Sequence, residues 1–287
     1  MKQIVVISGK GGTGKTSIVA ALSSIGPKKV IVDCDVDAAD LHLILKPTIL
    51  DEQDFISGER PSIDLDTCVQ CGMCVEHCKF GAISDEFIII PEKCEGCGVC
   101  SFICPEGAVT VEPRNCGKWF KSSTRFGTLI HAALGIGEEN SGKLVTTVRN
   151  ASTDAGIKEG AELVLVDGSP GIGCPVIASL TNADLAVFVA EPTIPALHDL
   201  KRVYKLTEHF KIPSMVIINK CGINKNQENE IKDFCQENEI SIAGELPYDL
   251  AFTKAQIAGL SAVEYDPEGL GAKIKVIWKE LEKKLMA

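Results

Sequence analysis

Short apolar runs recur along the chain, each closed by a glycine, a proline or an acidic residue. Residues 3–8, 28–32, 163–167, 183–190, 215–220 and 240–246 are such runs. Unbroken runs of this length, rich in valine and isoleucine, read as buried parallel strands. Helical spacing lies between them. Residues 17–25 form one helix, stopped by Gly26-Pro27. A second follows Pro195, with Leu197, Leu200, Val203, Tyr204 and Phe210 on one face. Residues 226–238 turn Ile231, Phe234 and Cys235 inward, and residues 273–286 align Ile274, Ile277, Trp278, Leu281 and Leu285. Alternating strands and helices predict an α/β fold with a doubly wound, mostly parallel sheet. Three stretches break the rhythm. Residues 41–59 pass from Leu41–Leu45 into a polar link containing Gly58, and 113–160 are poorly patterned apart from a strand expected at 145–148. Within 60–112, only 87–90 and 109–111 read as short strands.

That last region carries the chain's most distinctive chemistry. It holds eight of the thirteen cysteines, as Cys68, Cys71, Cys74 and Cys78, then Cys94, Cys97, Cys100 and Cys104. A shift of 26 residues superposes one run on the other and also lays Ile63, Gly72, Gly81 and Ala82 on Ile89, Gly98, Gly107 and Ala108. An internal repeat of this kind implies one unit per metal centre. Disulfides would need an oxidising compartment, and zinc sites use paired C-x-x-C units across a longer loop. The spacing resembles bacterial ferredoxins with two [4Fe–4S] clusters. That resemblance implies that the fourth cysteine of each run serves the other cluster: Cys68, Cys71, Cys74 and Cys104 for one, Cys78, Cys94, Cys97 and Cys100 for the other. Gly72, Gly96 and Gly98 let the backbone approach the sulfurs. Pro105 follows the second run as the motif expects, whereas Lys79 replaces the first run's proline. His77 reads as a surface residue.

Composition narrows the class. With 287 residues and 45% hydrophobic content, the chain can bury a substantial core. No apolar run reaches transmembrane length and the N-terminus leads into a strand, so a cytoplasmic protein is expected. A net charge of −10 argues against nucleic acid as a partner.

The first strand runs into Gly9, Lys10, Gly11, Gly12, Thr13, Gly14, Lys15 and Thr16, a full G-x-x-x-x-G-K-[ST] match followed by a helix at Ser17. Backbone N–H groups of such a loop cradle phosphates, Lys15 reaches the β/γ oxygens, and the Thr16 hydroxyl binds Mg²⁺. Strand ends at Asp33 and Asp167 place carboxylates where phosphates bind in parallel sheets, and Asp167 is the Walker B signal. Residues 168–175 form a Gly/Pro-punctuated loop of switch II type. Asp37 and Asp40 read as a solvated turn.

The lysine at position 10, within K-G-G-x-G-K-T, makes this loop resemble the deviant Walker A class: MinD and ParA, the Mrp-type iron–sulfur carriers and the nitrogenase iron protein. The whole chain resembles MinD-superfamily P-loop ATPases with an inserted ferredoxin domain, with the ATPase at 1–59 and 113–287 and the insert at 60–112. The resemblance implies an ATP-dependent homodimer in which Lys10 crosses to the partner's phosphates. It also implies that Asp35 orients the attacking water, Asp33 supports Mg²⁺, Asn219 recognises adenine, and Pro247 and Ser17 line the nucleotide. Cys221-Gly222 stands where a guanine-selecting aspartate would sit. Lys143 is weighed between a dimer-face role and a solvated loop. Cys174 lies at the spacing of a shared-cluster ligand in the nitrogenase iron protein; Cys116 is the candidate second cysteine, and no third cluster is assigned.

Three functions follow from the resemblance. An ATP-gated redox protein, passing electrons to a partner protein, is preferred because four cysteines hold each cluster permanently. An iron–sulfur assembly or delivery ATPase with a client protein is second. A MinD-like positioning ATPase with structural or sensory clusters is third, prompted by the lysine-rich C-terminal helix, for which packing on the sheet is favoured over membrane contact.

Overall fold

The computed structural model describes residues 1–135, 138 and 141–286. Its elements are, in chain order, β1 (Lys2–Ile7), α1 (Lys15–Ser23), β2 (Lys29–Asp33), α2 (Leu41–Leu45), β3 (Thr48–Ile63), α3 (Met73–His77), α4 (Val99–Ile103) and β4 (Val109–Thr124). They continue as β5 (Gly127–Leu134), α5 (Ser141–Glu159), β6 (Leu163–Asp167), α6 (Cys174–Leu180), β7 (Leu185–Ala190), α7 (Ile194–His209) and β8 (Ser214–Cys221). The last are α8 (Lys225–Glu237), β9 (Ser241–Pro247), α9 (Ala251–Ala258), α10 (Ala262–Tyr265) and α11 (Leu270–Met286). Two compact units divide the chain. The first comprises Met1–Gln53, Trp119–Ala133 and Ser141–Ala287; the second comprises Asp54–Lys118 and Leu134–Asn140.

In the first unit the strands β5-β2-β6-β1-β7-β8-β9 are neighbours in that order, every pair parallel. β1, β2, β6 and β7 are buried almost throughout, as their continuous apolar sequences predict for a sheet covered on both faces. Ile4, Ile31, Leu165, Val187 and Ile217 form the middle of the core with Ile18 and Leu22 of α1. α11 adds Ile274, Ile277, Trp278 and Leu281 to that core, so its apolar face is occupied by the sheet and its lysines face outward. Among the described residues no helix is long and apolar enough to cross a membrane.

Register does the positioning. β2 and β6 pair with Asp33 opposite Asp167, and β1 pairs Val6 with Asp167. Both aspartates therefore end their strands side by side at the carboxyl edge of the sheet, where the β1–α1 loop turns.

The second unit has no comparable layer. α3 and α4 are single short helices, each entered through a glycine in the left-handed region, Gly72 at φ 78° and Gly98 at φ 73°. A non-glycine residue adopts that conformation only at a cost. Each helix ends as the chain turns extended at its fourth cysteine, Cys78 or Cys104.

Several expectations need correction. Residues 145–148 lie inside α5, not in a strand. Leu144, Val145, Val148, Ser152 and Ala155 are buried at helical spacing, and this periodicity outweighs the β-branched composition of Val-Thr-Thr-Val. Of the polar stretch expected to lead into it, Glu139 and Asn140 lie outside the described residues. Residues 87–90 form no strand: Ile89 makes one isolated bridge to Ile83, and Phe87 turns at φ 60°. The link at 41–59 contains α2 and the start of β3, and 113–135 is mostly strand.

Candidate functional site

A cleft of about 700 Å³ opens above the carboxyl edge of the sheet, lined by the loop glycines, Lys15, Thr16, Asp35, Asn219 and Pro247. The β1–α1 loop is held close to β8: Asn219 Nδ2 donates to the Thr13 carbonyl at 2.8 Å. Gly14 has φ 90°, and a Cβ there would lie 2.4 Å from Asn219 Nδ2. A side chain at position 14 is thus excluded by both conformation and space. Asn219 spends its amide on the loop, and its Oδ1, though buried, has no partner, as does the Thr13 hydroxyl.

Lys15 is buried and paired with Asp167, with Asp35 at 3.8 Å. Burial alone would lower the Lys15 pKa, but Asp167, Asp33 and Asp35 together raise it above the ordinary lysine value. Asp33 accepts from the backbone N–H of Asp35 at 3.0 Å and of Leu41 at 3.2 Å. Burial, and then the neighbouring Asp167, hold its carboxyl well above the usual range. Asp35 is pushed up to about 6 by burial despite the pull of Lys15. Three carboxylates thus share one lysine, and Asp167 Oδ2 is buried without a hydrogen-bond partner. This surplus of buried negative charge suits a divalent cation. Asp37 and Asp40 are exposed at the cleft rim.

Lys10 is half-buried and points along the same face. Its ammonium pairs with Glu191 at 2.6 Å and donates to the Thr193 hydroxyl at 3.4 Å. Glu191 also pairs with Lys220 at 2.7 Å, and Lys220 donates to the Gly12 carbonyl at 2.7 Å. Burial opposes ionisation of Glu191, yet the two lysines hold its carboxyl below the usual range. Sequence reasoning missed Glu191 and Lys220 as partners of the loop. Gln256, which donates to the Ser17 hydroxyl at 2.8 Å, was missed as well. None carries a local motif; each reaches the loop only through the tertiary fold.

The second unit brings the eight repeat cysteines into two cavities. Cys68, Cys71, Cys74 and Cys104 line one; Cys78, Cys94, Cys97 and Cys100 line the other. Each cavity takes three cysteines from one run and the fourth from the other. Cys74 and Cys100, equivalent in the repeat, both have their thiols raised by burial. A tetrahedral zinc with Zn–S of about 2.3 Å would hold neighbouring sulfurs about 3.8 Å apart. Among the described residues, Cys221, Glu228 and Glu245 are the one group of three metal-ligating types converging within 4.8 Å. Each cysteine quartet instead surrounds a cavity of its own.

Other candidates lie elsewhere. Cys116 is buried in the second unit, its thiol donating to the Ser57 carbonyl at 3.1 Å. Cys174 is exposed at the first position of α6 in the first unit. Lys143 is exposed in the first turn of α5. His77 is exposed, with its ring against the Met73 carbonyl.

Similarity to known proteins agrees with this geometry. An uncharacterized protein of Methanocaldococcus jannaschii, MJ0578, is 39% identical over 77% of this chain and 79% of its own length. A second protein of that organism, MJ0579, is 27% identical over 93% of each chain. Among solved structures, the septum site-determining protein MinD of Pyrococcus horikoshii OT3, complexed with Mg-ADP, superposes with a TM-score of 0.61 at 20% identity, covering 98% of this chain and 96% of that one. Apo McdA of Cyanothece gives the same TM-score at 15% identity, covering 98% and 99%. The family model for the CobQ/CobB/MinD/ParA nucleotide binding domain matches residues 4–262. With that match over most of its length, the chain belongs to the CobQ/CobB/MinD/ParA family of nucleotide-binding domains.

Proposed function

We propose that this protein is an ATP-hydrolysing, dimeric switch that carries two [4Fe–4S] clusters and couples its nucleotide state to electron transfer with a partner protein. In this reading residues 60–112 are a two-cluster ferredoxin domain inserted in an ATPase formed by 1–59 and 113–287. The observation that carries it is the sorting of eight cysteines into two cavities, three from one run and one from the other in each. When bound, such clusters store and release single electrons at low potential. A labile, transferable cluster would call for fewer ligands at a dimer surface, so four cysteines per cavity favour redox use over delivery.

The cleft supports MgATP as substrate. Backbone N–H groups of Gly11, Gly12, Thr13, Gly14, Lys15 and Thr16 receive the phosphates at the start of α1, where the helix dipole favours negative charge. Lys15 leaves Asp167 for the β/γ oxygens. Thr16, Asp33 and Asp167 would hold Mg²⁺, a role that fits the buried Asp167 oxygen without a hydrogen-bond partner. Asp35, beside Lys15 at the cleft, orients the attacking water. Lys10 exchanges Glu191 for the phosphates of a second subunit, adding positive charge where transition-state charge develops. Asn219 and Pro247 line the adenine side, with Ser17 in the first turn of α1.

The test is anaerobic reconstitution of the full chain with iron and sulfide. About eight irons per chain are expected, with the reduced protein's EPR spectrum altered by MgATP. Transfer of the iron and sulfide to an apo-acceptor would overturn the redox reading in favour of delivery. Clusters indifferent to nucleotide would leave the positioning ATPase.

A further inference from the structure

A third cavity in the second unit belongs to neither the nucleotide cleft nor the cysteine quartets. It is a half-open space of about 320 Å³, within the range of small-molecule sites. Its two walls are the same stretch of the repeat taken twice. Pro61, Ser62, Ile63 and Leu65 line one side, and the residues 26 positions on, Phe87, Ile88, Ile89 and Pro91, line the other. The cavity thus lies on the internal pseudo-symmetry axis. Ile63 and Phe87 also line the Cys68 cavity, and Pro61, Ile89 and Cys94 also line the Cys78 cavity, so this space sits between the two.

Two charged side chains break the symmetry. Arg60 stands on one rim where the repeat has Glu86, and Arg60 has no ion-pair partner among the described residues. Glu59 also lines the space, but its Oε2 lies on the side of Gly98, 3.4 Å from where a Cβ there would stand. Arg114 is pinned, its Nε to Glu138 at 2.7 Å and its Nη1 to the Cys94 carbonyl at 3.1 Å, leaving Arg60 as the uncommitted cation. Phe87 forms part of the wall at φ 60°, a conformation that bulky residues rarely accept. Its N–H donates to the Ser84 carbonyl at 3.0 Å, which fixes the turn and holds the ring against the cavity. Strain retained by a hydrogen-bonded turn is characteristic of ligand clamps.

We propose that this cavity binds a small organic anion with a flat, apolar body. The apolar walls take the ring system and Arg60 takes the negative group. Bound there, the molecule touches Cys94, the residue that joins this space to the second quartet. The site stands apart from the ATPase reading and does not need it to be right.

The probe is anilinonaphthalene sulfonate, titrated by anaerobic calorimetry into the iron-loaded full chain with excess Mg-ADP present. One site per chain is expected. Arg60→Ala should weaken it about ten-fold, the size of one lost charge-assisted bond, and Ile88→Glu should weaken it at least as much. Both positions are exposed, so folding is expected to survive, and the iron content of each variant checks this. Equal affinity in wild type, Arg60→Ala and Ile88→Glu would overturn the proposal. So would equal binding of the uncharged phenylnaphthylamine. If Ile88→Glu instead dispersed a dimer in sedimentation without changing probe binding, the cavity would be a subunit contact and the proposal would fall. Iron counting keeps the two readings separate: full iron without a probe site sinks only this one, and a probe site without iron sinks only the cluster reading.

Discussion

The nucleotide cleft and the cysteine unit hold their functional side chains by opposite means. Around the cleft, Lys15, Asp33 and Asp167 are each at most 5% exposed; Lys15 opens α1, and the two aspartates end strands whose own residues are buried. Sheet register alone places Asp33 beside Asp167. In the second unit only Cys74 of the eight repeat cysteines is buried, and Cys71 and Cys97 are exposed. Its buried apolar residues are few, with Phe55, Ala82, Ile83, Ala108 and Val109 among them. Small domains with little core gain their stability from metals or cross-links. The nucleotide cleft is therefore preformed by packing, whereas the cysteine unit has little core of its own to hold it.

The largest effect should come from emptying the cysteine unit. Cys100→Ser is expected to lose about half the iron and to make 54–118 protease-sensitive while nucleotide binding in the first unit persists. Iron analysis with limited proteolysis reads both. Loss of nucleotide binding in the same variant would break the contrast between the units.

Lys15→Ala reverses the experiment. It should abolish MgATP binding and, by leaving Asp167 buried without its cation, destabilise the first unit by about 3–5 kcal/mol. Calorimetric titration and thermal melting check this; iron content should not change.

A pH prediction sharpens the point that the first unit is held by burial. His131 is buried against Phe120 and His42, with its Nε2 against the Ser122 hydroxyl at 2.9 Å. Burial, and then His42, lower its pKa from 6.5 to about 4. The unfolded chain binds the proton more readily, so stability rises with pH across that window. The contribution is complete above pH 6.5 and is lost on acidification towards pH 4, up to about 3 kcal/mol. His131→Gln should flatten denaturant midpoints over this range; an unchanged slope would show that the ring is hydrated.

The smallest effect concerns Lys10. Glu191→Gln removes one charge from the pair that holds the lysine within its own subunit. Cleft stability should fall by no more than about 1 kcal/mol, since the ammonium is partly solvated. ATP-dependent dimerisation in sedimentation should strengthen several-fold, because the lysine no longer has to leave a carboxylate. Weaker dimerisation would mean that Glu191 positions Lys10 instead of restraining it.

Much of this protein was legible in its sequence, because the signals are local. The glycine-rich loop, its lysines and the strand before it are contiguous, so one short window carries their chemistry. The apolar runs at 28–32, 163–167 and 215–220 announced central strands because burial on both faces removes alternation. The cysteine repeat was visible for the same reason: ligand spacing is fixed within each run. Legibility failed where local composition opposed periodicity, as at Val145–Val148, which the pattern of Leu144, Val148 and Ala155 turned into helix. It failed again at 87–90, where a turn at Phe87 overrode an apolar run.

What only the tertiary structure decided are relations between distant positions. Asp33 and Asp167 become a pair through strand register. Glu191 and Lys220 become partners of the loop because β7 and β8 end beside it. Arg60 becomes a free cation on an apolar cavity because two copies of one sequence stretch face each other across a pseudo-axis. The physical reason is common to all three. Sequence spacing sets which chemistry a segment can perform, whereas burial and pairing between segments set which charges remain unpaired, and those are the groups left to bind.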